Sequence, residues 1–377
     1  MLSGEVSAVG GAVRDALLGL PPGPELDLVV EGDAIALAER LGHELGVRVT
    51  AHRRFGTATM EIPHCGHLDL VSARRETYAA PGALPTVAPG TIADDLARRD
   101  FTVNAMAVGL SGARAGQLLD PHDGLADLEA RLIRALRQDA FHEDPSRLVR
   151  AARYAARLGF ALAPETDAAA RATAPALDPA SARVGDELRR LLEEPAAAEA
   201  LALLARLGVT WIAEPDGEEA ARRMAAIDAA LARPGAPELP VWALRMGEGL
   251  APEAAERAAV PGWARALASE LRRGADLARR LGDAATPSEV DRLLRVAPPA
   301  TAVGALAHGA DAVARWWSGD RDREPAVGGA DLVRAGVAPG PAIGRALAEV
   351  RAALLDGRVG GPEEQLALAL RTAREHR

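Results

Sequence analysis

The hydrophobic period of the chain changes near residue 137, and that change limits what it can fold into. Before it, short apolar runs rich in Val and Leu occupy residues 5–11, 25–32, 47–52, 57–62 and 67–74, separated by Gly- and Pro-containing turns. Runs of that length and composition predict strands. Residues 33–46 instead space their apolar positions by three and four, which predicts one helix between the second and third strands. After residue 137 nearly every segment is rich in Ala, Leu, Arg and Glu with helical spacing. Breaks are expected near residues 178–179, 214–216, 233–235, 261–262, 297–299 and 337–341, where Pro or Gly interrupts the pattern. The expected fold class is therefore α+β: a sheet-and-helix domain followed by a long all-α region, with no fixed-period repeat.

Composition enters mainly by exclusion. No apolar run is long enough to span a membrane, and the first residues lack a charged segment followed by an apolar one, so a cytoplasmic protein is expected. The single Cys65 excludes an intrachain disulfide. His64, Cys65 and His67 are too crowded for a zinc site and predict a plain hairpin turn. The 44 basic residues are all Arg, there is no Lys, and the only Asn is Asn104. A net charge of -9 argues against a uniformly basic surface but permits a local basic patch. The pair Trp316–Trp317 is expected to pack between helices rather than stack on bases.

Four segments carry candidate chemistry. In the first, a strand runs into Gly10–Gly11 and then a helix, an arrangement that points backbone N–H groups at a phosphate. Arg14, three residues on, offers a forked cation to the same group. Glu25 and Asp27 lie two apart on a strand, so both carboxylates face one side. Two acids there repel unless a cation sits between them, and Mg2+ holding a triphosphate fits. Asp69 lies on another predicted strand. If the two strands are neighbours, Asp69 joins the acids or helps deprotonate a hydroxyl.

The next segment spans residues 98–105, RRDFTVNA. Arg98 and Arg99 suit phosphate, and Asp100 suits a ribose hydroxyl. Asn104 can bridge a donor and an acceptor, as Ser or Asp cannot. Between residues 98–105 and the last segment, Asp120 to Leu128 reads DPHDGLADL, a stretch to which its residues alone assign no chemistry. In the last, Asp144 and Pro145 open a helix that carries Arg147, Arg150 and Arg153 along its length. Residues 131–160 hold seven Arg against three acids, a local charge of +4 (7 − 3) within an acidic protein.

In this order the segments resemble those of the tRNA nucleotidyltransferase and bacterial poly(A) polymerase family. The resemblance runs closely over about the first 160 residues, and one departure stands out: the family's first metal aspartate is Glu25 here. It implies a polymerase beta-like nucleotidyltransferase head over 1–137. A helical neck over 138–205 would bind the nucleotide base and RNA, and a helical body and tail over 206–377 would bind tRNA. It also implies Mg2+ held by Glu25 and Asp27, and transfer of C and/or A from CTP or ATP to the tRNA 3′ end with release of pyrophosphate. Catalysis falls to Glu25, Asp27 and Asp69. Nucleotide binding falls to Gly10, Gly11, Arg14, Arg98, Arg99, Asp100, Asn104, Asp144, Arg147, Arg150 and Arg153, with Arg150 and Arg153 on the triphosphate.

The base-reading part of that implication has a physical rationale. Asp144 only accepts hydrogen bonds and Arg147 only donates. Cytosine and adenine each present an amino donor beside a ring-nitrogen acceptor, whereas uracil and guanine present the reverse. An Asp–Arg pair therefore matches C and A. The stretch 74–96 is expected to hold a loop that tunes which nucleotides are added. Full CCA addition, CC-only, A-only and poly(A) synthesis all stay open, as do a nucleotidyltransferase acting on a small molecule and an inactive RNA-binding relative.

Overall fold

A computed structural model describes residues 4–21, 23, 25–63, 66–77, 86–213 and 218–375. The chain forms two compact units. One comprises residues 1–178 with 194–210, the other 179–193 with 211–377.

The first unit is built on a sheet. Its strands are β1 (Val6–Val9), β2 (Glu25–Val30), β3 (Val49–His52), β4 (Thr57–Ile62), β5 (Gly66–Ser72), β8 (Ala107–Gly109) and β9 (Leu118–Leu119), in the order β3-β4-β5-β2-β1-β8-β9. β6 (Arg74–Thr77) and β7 (Thr86–Pro89) form a separate antiparallel ribbon. Helices α1 (Gly11–Leu17), α2 (Ala34–Leu45), α3 (Ile92–Ala97), α4 (Gly124–Glu129), α5 (Ala140–Glu143), α6 (Ser146–Leu158), α7 (Pro164–Thr173) and α9 (Ala197–Leu207) complete the unit. The five expected strands and the helix at 33–46 thus appear as β1 to β5 and α2. The β6–β7 ribbon, β8 and β9 are not among the expected strands, nor is the short parallel pair of β10 (Leu132–Ile133) with β11 (Ala161–Leu162), of which only β11 lies within the stretch the sequence assigns to helices. The specificity loop expected within 74–96 falls partly on residues 78–85, outside the described residues, as do His64 and Cys65 of the expected hairpin.

Alternation along β2 explains the layering. Leu28 and Val30 turn to one face and pack with Ala34, Ile35, Leu37 and Ala38 of α2. Val29 turns to the other face and packs with Ile92 and Leu96 of α3. Period 2 places Glu25 and Asp27 on the same face as Val29. Because α3 covers Val29, the residues that follow α3 are delivered beside the acids.

The second unit is helical. α8 (Ala182–Glu193) belongs to it. It continues through α10 (Glu218–Leu231), α11 (Val241–Gly249), α12 (Pro252–Arg257), α13 (Gly262–Arg272), α14 (Gly274–Gly282), α15 (Pro287–Arg295), α16 (Pro299–Ala307) and α17 (Ala312–Ser318). α18 (Gly329–Arg334), α19 (Pro341–Leu355) and α20 (Pro362–Glu375) end the chain. α12, α15, α16, α19 and α20 each begin on Pro, which costs nothing where no intrahelical acceptor is waiting for its N–H. Leu244, Leu271, Val303, Trp316 and Trp317 share one core. The tryptophans are buried, and Trp316 Nε1 donates to Asp291 Oδ1 at 2.7 Å, so they pack helices as expected. α14 and α16 meet at Gly274 and Gly304, where a Cβ on Gly274 would lie 2.3 Å from the Gly304 carbonyl carbon. No helix is long and apolar enough to cross a membrane among the described residues.

Candidate active site

The acids come together through strand pairing. β2 and β5 run parallel, with Asp27 opposite Asp69 and Glu25 opposite His67. The conditional placement of Asp69 is therefore met. Glu25 and Asp27 are exposed, and Asp69 is half-buried. Asp69 Oδ1 accepts from Thr59 Oγ1 at 2.5 Å, across the β4–β5 pair. The Asp27 pKa is raised above the usual carboxylate value. Partial loss of hydration is the largest cause, Arg99 pulls the other way, and the negative charges of Asp69, Glu25 and Asp95 push it up further. The donors are hard oxygens on one face, which suits a hard divalent cation. Among the described residues no three acidic, His or Cys side chains yet converge tightly enough to hold an ion.

The cationic wall of the site starts at α3. Asp95, in its last turn, is fully buried, and each of its oxygens takes one arginine. Arg98 Nε donates to Oδ1 at 3.0 Å, and Arg99 Nη2 donates to Oδ2 at 3.0 Å. Arg99 Nη1 also reaches the Asn104 carbonyl at 3.4 Å. This nitrogen lies 2.8 Å from where a Cβ on Gly10 would stand, and Gly10 has φ +70°. Backbone conformation favours glycine at position 10, and a Cβ there would also displace the tip of Arg99. Sequence reasoning missed Asp95; its spacing of three and four from the two arginines was the available signal.

Several expected nucleotide ligands are instead occupied within the protein. Arg14 is 2% exposed. It donates to Asp15 Oδ1 at 2.8 Å and to Asn104 Oδ1 at 2.6 Å, and its Cζ lies 5.1 Å from the Tyr154 ring centroid. It does not present a fork to a phosphate. Asp100, expected at a ribose hydroxyl, is buried and accepts from Phe101 N at 2.8 Å, Asn104 Nδ2 at 3.2 Å and Arg150 Nη1 at 3.0 Å. Burial acts to raise its pKa, but the Arg150 guanidinium and the hydrogen bonds from Arg150, Asn104 and Phe101 outweigh that and hold it low. Arg150, expected on the triphosphate, is committed to this carboxylate. Arg153 is likewise turned inward, with Nη1 3.2 Å from Glu194 Oε1 and Cζ 4.6 Å from the Tyr154 centroid. Asn104 does bridge a donor and an acceptor, as its lone occurrence suggested.

The turn that opens α6 is built by Asp144. Its Oδ1 accepts from Ser146 N at 3.1 Å and Ser146 Oγ at 2.5 Å, and its carbonyl accepts from Arg147 N at 3.0 Å. Arg147 Nη1 lies 3.8 Å from Glu143 Oε2, a loose pairing. Asp144 and Arg147 thus flank one turn at the start of α6, which begins at Ser146, one residue later than Asp144–Pro145 suggested, and has Pro145 at its N-cap with no side-chain cap. The DPHDGLADL segment is structural. Asp120 accepts from the Gly124 and Leu125 amides, and Asp127 Oδ2 accepts from Thr102 Oγ1 at 2.7 Å, bracing the RRDFTVNA segment.

Residues 6–134 match the poly A polymerase head domain, and residues 159–218 match a probable RNA and SrmB-binding site of polymerase A. The chain is 37% identical over 377 residues to the CC-adding tRNA nucleotidyltransferase of Deinococcus radiodurans, covering 96% of this chain and 87% of that one. It is 49% identical over 179 residues to the A-adding tRNA nucleotidyltransferase of Halalkalibacterium halodurans. There the match covers 48% of this chain and spans only 42% of the relative's length. A solved structure of a CCA-adding enzyme in its apo form II superposes with a TM-score of 0.81 at 26% identity, over 98% of this chain and 92% of the other. On this full-length likeness, the chain belongs to the tRNA nucleotidyltransferase and poly(A) polymerase family.

Proposed function

We propose that the protein is a template-independent tRNA nucleotidyltransferase, adding C and/or A to the tRNA 3′ end from CTP or ATP and releasing pyrophosphate. The observation that carries this reading is the acid face of β2 and β5 lying beside the Arg99–Gly10 contact in one unit. Acids that take a cation and arginines that take a triphosphate are what nucleotidyl transfer needs side by side.

Glu25 and Asp27 would hold Mg2+. When bound, that ion supplies Lewis-acid stabilisation of the phosphoryl oxygens and lowers the pKa of a coordinated hydroxyl. Asp69, fixed by Thr59, is placed to accept the proton of the attacking 3′-hydroxyl. Arg98 and Arg99, aimed by Asp95, balance the triphosphate charge, and the Gly10–Gly11 turn lets backbone come close to it. Asp144 and Arg147 read the base. Arg150, Arg153, Asp100 and Asn104 act behind them, setting where α6 stands. The region 1–137 serves as nucleotidyltransferase head, 138–205 as the neck that reads nucleotide and RNA, and 206–377 as the tRNA-binding body and tail. The reaction is cytoplasmic.

The test offers tRNA lacking its 3′ CCA, and tRNA ending in CC, with each labelled nucleoside triphosphate in turn. Short incorporation of C or A, without U or G, supports the proposal. A long A tail would make the protein a poly(A) polymerase instead. No incorporation on either tRNA would overturn it.

A further inference from the structure

Arg14 stands in the glycine-turn motif, where a phosphate-binding role is the natural expectation, yet its surroundings deny it that role. We propose that Arg14 is a positioning residue for base selection, locking the base-reading helix α6 onto the glycine turn; this rests on the tRNA nucleotidyltransferase reading above.

The backbone N–H of Arg14 donates to the Gly10 carbonyl at 3.0 Å, so the residue is anchored one turn from the glycine pair. Its guanidinium then serves three partners. It donates to Asp15, on its own helix, and to Asn104 Oδ1, and it lies against the Tyr154 ring of α6. Besides the contact of Asp15 Oδ2 with Arg157 of α6 at 3.5 Å, two further routes from Arg14 reach α6. One is direct, through Tyr154, whose ring also faces Arg153 and meets Phe101 edge-on at 6.0 Å and 85°. The other runs from Asn104 Nδ2 to Asp100, and from Asp100 to Arg150 on α6. Tyr154 follows Arg147 by two helical turns on the same helix face. A shift of α6 at Tyr154 thus moves the turn that carries Asp144 and Arg147. A phosphate ligand must keep its fork accessible, whereas Arg14 is 2% exposed. The site also needs arginine specifically. Several donors in a fixed plane and a weakly hydrated π-facing cation are combined in no other side chain.

The experiment compares Arg14→Lys, Tyr154→Phe and Tyr154→Leu with wild-type protein on tRNA lacking its CCA. It measures kcat/KM for CTP, ATP and UTP, together with inhibition by pyrophosphate. If Arg14 positions α6, Arg14→Lys lowers the CTP-to-UTP preference at least about tenfold and leaves pyrophosphate inhibition within about twofold of wild type. Tyr154→Leu then repeats the loss of preference, and Tyr154→Phe, which keeps the ring, stays within about threefold. If Arg14 binds phosphate, Lys retains most of the charge. KM then rises together for every nucleotide, pyrophosphate inhibition weakens and base preference is unchanged, which overturns the inference. Tyr154→Leu with wild-type preference also overturns it, and covers the case in which Arg14→Lys does not fold. Wild-type protein that adds no nucleotide overturns the functional reading itself, a result distinct from active wild type with unselective variants.

Discussion

At the scale of single residues, Asp27 and Glu25 do not carry equal weight. Asp27 faces Asp69 across the strand pair, is crowded by three other acids, and has Arg99 as its opposing charge. Glu25 lies two residues nearer the strand's start, opposite His67, at an exposed position. Glutamate there has one methylene more than aspartate, and a shorter side chain can still reach an ion held mainly by Asp27. Glu25→Asp is therefore expected to retain activity within about tenfold, while Asp27→Ala loses more than about a hundredfold, since even the supports of metal ligands cost 10- to 100-fold when removed. Steady-state addition to tRNA at several Mg2+ concentrations checks both. Activity surviving Asp27→Ala would sink the metal assignment. Arg147 is a different kind of residue, partly exposed and only loosely paired with Glu143. Arg147→Ala should remove donors that match C and A. Discrimination against UTP should fall by about 1–3 kcal/mol, roughly 5- to 150-fold, with tRNA affinity little changed. A drop in tRNA binding with intact base choice would assign Arg147 to RNA instead.

At the scale of elements, the residue pattern told more about strands than about arginines. The alternation that marks Glu25 and Asp27 as facing one way also marks Leu28 and Val30 as facing the other. The packing of α2 and α3 on opposite faces agrees with this. The pairing of β5 with β2 was legible only as a condition, because spacing along a chain does not reveal which strands become neighbours. What sequence could not show is which arginines turn inward. Arg14, Arg150 and Arg153 read as phosphate-binding cations, and their respective partners Tyr154, Asp100 and Glu194 lie far away in sequence. Burial of a guanidinium is tolerated when most of its donors or its charge find partners, and that is a property of the fold. Asp95 shows the same principle within one element. The last turn of α3 buries a carboxylate that aims two forks at once. Asp95→Asn should halve that grip and lower kcat/KM for nucleotide by about 10- to 100-fold through misplacement of Arg98 and Arg99. Most of the loss should appear in KM, and a loss confined to kcat would argue that the pair acts only in the chemical step.

At the scale of the whole molecule, each unit is tied by its own buried acid. In the first, Asp100 joins the RRDFTVNA segment to α6. In the second, Asp291 of α15 accepts from Arg351 of α19 at 2.9 Å and from Trp316 of α17 at 2.7 Å, with Arg295 at 3.1 Å. Burial works to raise the pKa of Asp291, and the bonds from Arg351 and Trp316 together with the charges of Arg351 and Arg295 more than reverse that, so it is lowered. A folded-state pKa below the unfolded one means the ionised form favours the fold. The stabilisation is complete above the unfolded value, near 3.9, and is lost as pH falls through the lower folded value. Asp291→Asn keeps an acceptor for Trp316 and removes the charge between two arginines. It should cost on the order of 3 kcal/mol near pH 7, the range for breaking a well-buried ion pair. Followed by thermal unfolding, the gap between wild type and variant should stay constant from pH 7 to about pH 5. It should then narrow as the wild type is carried below pH 4, because the unfolded chain takes up a proton there that the native carboxylate resists until lower pH. A gap that widens with acid would mean that Asp291 is held protonated in the fold, and that the helical unit is held at this point by packing alone.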